Sequence, residues 1–274
     1  MRRILIALLS LALSGCYLSR SADKPDELER TWAGATVAVP LSRYDTDLDD
    51  VRGSMRANEQ ALLSAGLDRK IPTVVFLHGC SGLHGGYRMS LDFLSDQGYA
   101  VIAPDSFSRV YKPKSCDWRT KSAGYHVGVV GFRLAEAEYA VAQAKRFPWV
   151  DPDRIVLMGQ SEGGLTTANY DADGIAAKVV LGWTCQIPWP PLWGLDGPDD
   201  LPVMSVVSAR DRWFQPWYVQ GHCGEHMERF ADGTSLVLDG SSHHVMREQE
   251  TRDAVAGFLA RVAPTPDPVK TARR

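Results

Sequence analysis

The sequence predicts an α/β fold, a mostly parallel, doubly wound sheet with helices on both faces, and three observations predict it. Six segments are apolar along their whole length instead of alternating, as strands buried on both faces are. Helix-period segments stand between several of them, and that alternation is the signature of strand–helix–strand units. The composition, 45% hydrophobic and 23% charged over 274 residues, is that of an ordinary globular chain able to build one buried core.

The predicted strands come in order. Ile71 to Leu77 is rich in β-branched residues and ends at His78-Gly79, and Tyr99 to Ala103 ends at Pro104-Asp105. Arg154 to Met158 ends at Gly159, and Lys178 to Gly182 and Pro202 to Val207 follow. Ser235 to Leu238 is the last. The predicted helices are Met89 to Gln97, then Val127 to Phe147 with Val130, Leu134, Ala137, Val141 and Ala144 on one side. Glu162 to Asn169 starts at a glycine-flanked turn, and Arg247 to Val262 closes the chain. In such a sheet ligands bind beyond the carboxyl ends of the strands.

The two ends read differently from this middle. Met1-Arg2-Arg3 is basic and Ile4 to Leu13 almost wholly apolar, too short to span a bilayer but suited to a signal-peptide core. Leu13-Ser14-Gly15-Cys16 then resembles a bacterial lipobox, in which the cysteine is lipidated and becomes the first mature residue. Tyr17, standing where an aspartate would signal retention, resembles outer-membrane sorting. The expected organisation is a signal peptide over 1–15, a lipidated Cys16 with a polar tether over 16–30, one domain over 31–263, and a fraying tail over 264–274. The expected location is the bacterial cell envelope, anchored by lipid and facing the periplasm.

Charge excludes one class of partner. Lys+Arg total 30 against 33 Asp+Glu, a formal −3 with no polybasic run, so no electrostatic footprint for nucleic acid is present. Cys80, Cys116, Cys185 and Cys223 remain once Cys16 is set aside. An exported domain lets disulfides persist, and four cysteines allow three connectivities among which spacing does not choose.

The chemistry is concentrated in Gly159-Gln160-Ser161-Glu162-Gly163-Gly164, a G-x-S-x-G between a strand and a helix. A serine on so sharp a turn needs neighbours without a Cβ, and the turn lifts its hydroxyl above the sheet. Serine is a weak nucleophile unless a base takes its proton and a carboxylate orients the base. In this architecture the order along the chain is serine, acid, histidine. Asp211 lies just past the strand ending at Val207, whereas Asp199 and Asp200 precede that strand at its wrong end, and Asp196 is a third distractor. The loop after the last strand carries His243 and His244; His243 is the favoured base and His244 the alternative.

His78-Gly79-Cys80-Ser81-Gly82 is a small-residue turn able to aim the Cys80 N–H at a developing oxyanion, joined by the N–H of Glu162. Both act through their backbones. A competing metal reading of His222, Cys223, Glu225 and His226 with the histidine pair lacks H-E-x-x-H and any paired-cysteine spacing, so no metal is expected.

Taken together these residues resemble the dienelactone hydrolase-like family of the α/β hydrolases. The similarity runs from Ile71 to Val262, through Leu77-His78-Gly79-Cys80-Ser81-Gly82, Ala103-Pro104-Asp105-Ser106-Phe107-Ser108-Arg109 with Cys116, and the Ser161 turn. It continues through Asp211-Arg212-Trp213, Pro216 and Cys223 to Ser242-His243. The resemblance implies an α/β-hydrolase fold, a Ser or Cys–Asp–His triad, and hydrolysis of an ester or lactone without metal or organic cofactor. It also implies the pairings Cys80–Cys116 and Cys185–Cys223. The chain departs from the best-known members, which use cysteine on small anionic lactones, by carrying Ser161; Pro216 falls one residue later than in the family pattern.

The expected function is therefore a serine hydrolase acting on a small-molecule ester or lactone. A peptidase or acyltransferase shares the same triad, and a non-catalytic envelope-binding protein on a hydrolase fold is the rival of another class. Such reuse usually loses triad members, and all three positions are filled here. Trp183, Trp189, Trp193, Trp213 and Trp217 either line an apolar pocket or pack loops onto the sheet. Oligomeric state is not legible.

Overall fold

Seven consecutive residues, Ile71–Leu77, form the strand β3 on which the rest is built, and every one of them is buried. In the computed structural model, which describes residues 24–124, 126, 128–187 and 192–269, its side chains alternate between two cores. Ile71, Val75 and Leu77 face one side, while Val74 and Phe76 face the other. Period-two alternation with both faces apolar is why the strand reads as a continuous hydrophobic run.

The other strands of the main sheet are β1 (Thr36–Val39), β2 (Val51–Ser54), β4 (Ala100–Ala103), β7 (Val150–Gln160), β8 (Ala177–Leu181), β9 (Val203–Ser208) and β10 (Gly233–Leu238). Their order is β10-β9-β8-β7-β3-β4-β1-β2. β1 runs antiparallel to both β2 and β4, and the remaining pairs are parallel. A small hairpin, β5 (Cys116–Asp117) with β6 (Ser122–Ala123), lies outside the sheet.

Helices α1 (Pro25–Ala33), α2 (Met55–Ser64) and α4 (Val129–Ala144) cover one face through Trp32, Met55, Leu62, Ala137 and Val141. Helices α3 (Arg88–Asp96) and α6 (Gln249–Val262) cover the other through Leu91, Leu94, Val255 and Phe258. Helix α5 (Glu162–Ala168) follows β7 directly, and Leu165 packs it against Val129 and Val130 at the start of α4. Trp149 is fully buried, and its indole N–H donates to Leu62 O at 2.8 Å, so truncating it forfeits about 3–5 kcal/mol of packing besides that bond.

The six predicted strands and four predicted helices all form, with ends displaced by a few residues. Other expectations need correction. The stretch read as a tether up to residue 30 contributes α1, which starts with Pro25 in its first turn and Asp26 and Glu27 beside the positive end of the helix. Its apolar residues Leu28 and Trp32 were too few to show a period in so polar a stretch. The tail does not fray throughout: Val269 N donates to Arg43 O at 2.9 Å and Arg69 Nη1 to Asp267 O at 2.9 Å. β10 is not buried on both faces, because it is an edge strand with β9 as its neighbour, and Leu238 is its one buried residue. Cys16 and the segment proposed as signal peptide lie outside the described residues, as do Trp189 and residues 270–274.

Parallel pairing has a consequence for the site. The loops following β3, β7, β9 and β10 all emerge at one edge of the sheet. Cys80, Ser161, Asp211, His243 and His244 lie in these loops, and Glu162 opens the helix directly after one of them.

Candidate active site

Ser161 sits between the last residue of β7 and the first of α5 with φ 60° and ψ −118°, a conformation that non-glycine residues adopt only under constraint. The neighbouring glycines show what imposes it. A Cβ on Gly163 would stand 2.1 Å from Leu77 O, and one on Gly159 would stand 2.0 Å from Gly163 O. The turn is pinned on both sides, since Ser161 N donates to Leu181 O at 2.8 Å and Leu165 N donates to Ser161 O at 2.8 Å.

His243 Nε2 is 2.8 Å from Ser161 Oγ, and His243 Nδ1 is 2.6 Å from Asp211 Oδ2. A carboxylate oxygen accepts, so Nδ1 carries the ring proton and Nε2 is left to receive the serine hydroxyl. Asp211 is 2% exposed, and its other oxygen accepts the Trp213 N–H at 3.0 Å, capping the turn Arg212–Phe214. The carboxylate is thus held by its own loop while it holds the imidazole.

The His243 loop is tied down from two strands. Gln160 Nε2 donates to His243 O at 2.6 Å, and Ser208 Oγ donates to Ser242 O at 2.7 Å. Gly182, with φ 56°, leaves the room: a Cβ there would lie 2.2 Å from Gln160 Nε2. The Trp213 ring stacks on the His243 ring, with centroids 5.2 Å apart at 29°. His244 is turned away from Ser161 toward Tyr87, edge to face at 5.5 Å. Burial, and then the neighbouring His243, Arg247 and His84, push its pKa down to about 4, so it is neutral near pH 7.

Cys80 lines the same pocket as Ser161 and is bonded to Cys116, which ties the loop after β3 to the β5–β6 hairpin. Beneath this loop His78 is fully buried. Its Nε2 accepts the Ser106 N–H at 3.1 Å, and its carbonyl accepts from Arg133 Nη2 at 2.6 Å. Burial and then the Arg133 charge hold His78 well below the usual histidine range, so it is a neutral strut. The Glu162 side chain accepts from Ser115 Oγ, and burial raises its carboxyl above the ordinary value.

The pocket above Ser161 holds about 440 Å³ and is bounded by Gly79, Tyr87, Trp118, Lys121, Trp213 and the two histidines. Of the five tryptophans singled out in the sequence, Trp213 lines it. Trp183 packs edge-on against Phe214, and Trp193 and Trp217 are exposed. Trp118, Lys121, Tyr87 and His84 were missed: a hairpin of two-residue strands and a three-residue helical turn carry no periodicity, and Cys116 beside Trp118 was the one signal. The pairings Cys80–Cys116 and Cys185–Cys223 are both present. The second bond takes Cys223 out of the metal-ligand set, while Asp199 pairs with Arg229 at 2.5 Å, away from the pocket.

Residues 60–191 match the dienelactone hydrolase family. A search of curated proteins returns no match. Among solved structures, a Klebsiella pneumoniae protein assigned to the dienelactone hydrolases is 18% identical, with a TM-score of 0.54 over 72% of this chain and 88% of that one. An esterase from Pyrococcus furiosus is 19% identical in one crystal form, with a TM-score of 0.51 over 71% of this chain and 83% of that one. At these identities the structural likeness is one of fold. Residues 60–191 thus carry the similarity to the dienelactone hydrolase family, and the sheet they are set in has the α/β-hydrolase fold.

Proposed function

We propose that this protein hydrolyses a carboxylic ester or lactone through an acyl-enzyme on Ser161. One observation carries the reading: an unbroken hydrogen-bonded chain from Asp211 through His243 to Ser161 that ends in an open pocket. In the first half-reaction Ser161 Oγ attacks the carbonyl carbon while His243 Nε2 takes its proton, and Asp211 stabilises the imidazolium. The N–H groups of Cys80 and Glu162 receive the oxyanion. Collapse expels the alcohol, which takes its proton from His243. Water then repeats the sequence on the acyl-enzyme and releases the acid.

The test is turnover of short p-nitrophenyl esters and small lactones beside matched amides and peptides, with product analysis in the presence of an added alcohol. Ester turnover releasing free acid, and lost in Ser161→Ala, supports the reading. Preferential amide cleavage assigns a peptidase, and a transferred acyl group assigns an acyltransferase. No turnover of any of them brings forward a binding role for the fold.

The same proposal places the domain in the bacterial envelope, tethered through a lipidated Cys16 after removal of residues 1–15. The order of basic start, apolar core and lipobox supports it.

A further inference from the structure

Tyr87 ends the helical turn Gly85–Tyr87, with its ring packed against Phe76 at 5.6 Å, His84 at 4.8 Å and His244 at 5.5 Å. It is 2% exposed, yet it lines the pocket that contains Ser161. Its hydroxyl oxygen accepts the Gly79 N–H at 2.8 Å. That bond uses a lone pair and leaves the phenolic proton. Among the described residues, the hydroxyl makes no second hydrogen bond that would use it. A buried donor with nothing to receive it is costly, and a site tolerates one where a ligand supplies the acceptor.

Gly79 fixes where that donor lies. A Cβ on this residue would stand 2.8 Å from Tyr87 Oη, 3.2 Å from Ser161 Cβ and 3.4 Å from Gln160 O. The phenol and the nucleophile therefore flank one glycine, and the next residue is Cys80. We propose that Tyr87 Oη–H is a third donor to the oxyanion formed when Ser161 attacks, alongside the N–H groups of Cys80 and Glu162. This rests on the serine-hydrolase reading above.

The chemistry suits the role. Burial pushes the phenol up to about 12, so it keeps its proton across the working pH range. Accepting from Gly79 polarises the O–H and strengthens it as a donor. The packed ring needs little reorganisation when charge develops, which is the condition under which such a donor counts most. No proton is transferred: the bond tightens in each tetrahedral intermediate and slackens as the carbonyl re-forms.

Tyr87→Phe keeps the ring and removes the hydroxyl. The expected result is a fall in kcat of about 100-fold or more with KM little changed, the pattern of a contact made in the transition state. Because phenylalanine also deprives Gly79 N–H of its acceptor, 3,5-difluorotyrosine at position 87 separates the two roles. It keeps the oxygen but is a more acidic phenol. As a donor, it brings the alkaline fall in kcat to lower pH, since a phenolate has no proton to give. As an acceptor for Gly79 only, it leaves that limb unmoved. A kcat of Tyr87→Phe within twofold of wild type, or an unmoved limb, overturns the inference. Fluorophosphonate labelling of Ser161 runs in parallel: labelled protein indifferent to Tyr87 sinks the phenol alone, and unlabelled wild type sinks the hydrolase reading with it.

Discussion

The rings of His243 and His244, consecutive in sequence, stand 5.8 Å apart at an interplanar angle of 76°, and it is His243 that reaches Ser161. The near-perpendicular setting sends one ring to the Asp211–Ser161 line and the other into the wall formed with Tyr87 and His84. His243→Ala is therefore expected to lower kcat by roughly 10⁴-fold or more, as loss of a triad base does. His244→Gln should cost about tenfold at most. His244 is already neutral above a pKa of about 4, so the acid limb of kcat/KM should survive its removal. Rate profiles from pH 4 to 9 on the two variants check both statements.

Gly163 meets the end of β3 at a distance no side chain allows, with a Cβ falling 2.1 Å from Leu77 O and 2.8 Å from His78 O. Both obstacles are backbone. Gly163→Ala should destabilise the protein by more than about 3 kcal/mol or prevent its folding, the upper end of what overpacking costs. Gly131, exposed in α4 with nothing within 4 Å of its Cβ position, is the matched control. Gly131→Ala should be neutral or stabilising by up to about 1 kcal/mol. Urea denaturation of the pair measures the contrast.

The disulfide Cys80–Cys116 closes a loop of 36 residues. Loop entropy alone assigns it about 4 kcal/mol. Cys80→Ala with Cys116→Ala should lower the melting temperature by on the order of 10 °C. It should also reduce activity per folded molecule, because Cys80 lies in the pocket wall. Cys185–Cys223, with a separation of 38, should match the loss of stability without the loss of activity, since neither residue lines the pocket. Calorimetry and ester turnover on the two double variants separate these effects.

Lipidation of Cys16 predicts that the full chain, expressed in a bacterium and fed labelled palmitate, carries the label and fractionates with membranes. Cys16→Ala should be unlabelled and remain a larger precursor. Identical labelling and fractionation of the two would remove the anchor.

Much of this was legible in the sequence because the site is built from strand ends. Ser161 and Asp211 each follow a run of buried residues, His243 follows the short apolar run Leu236–Leu238 at the sheet edge, and a run that ends at a polar or glycine-rich loop marks its own carboxyl edge. The ambiguity between His243 and His244 was different in kind: one residue of register decides it, and the decision comes from Gln160 and Ser208 holding the loop carbonyls. The pocket wall was illegible for a related reason. Tyr87, Trp118 and Lys121 belong to short turns placed by long-range contacts, with the Cys80–Cys116 bond fastening the hairpin over the site. The burial of β10 was misread because a strand's place at the sheet edge is a property of its neighbours.

The most direct test is to treat the wild-type protein and Ser161→Ala with a fluorophosphonate probe and locate the adduct by peptide mass spectrometry. A single adduct on Ser161, formed within minutes and absent from the variant, is the expected result, because only a serine activated by His243 and Asp211 attacks phosphorus at neutral pH. A folded wild type that stays unmodified, or an adduct that persists in Ser161→Ala, would contradict the assignment of Ser161 as the nucleophile.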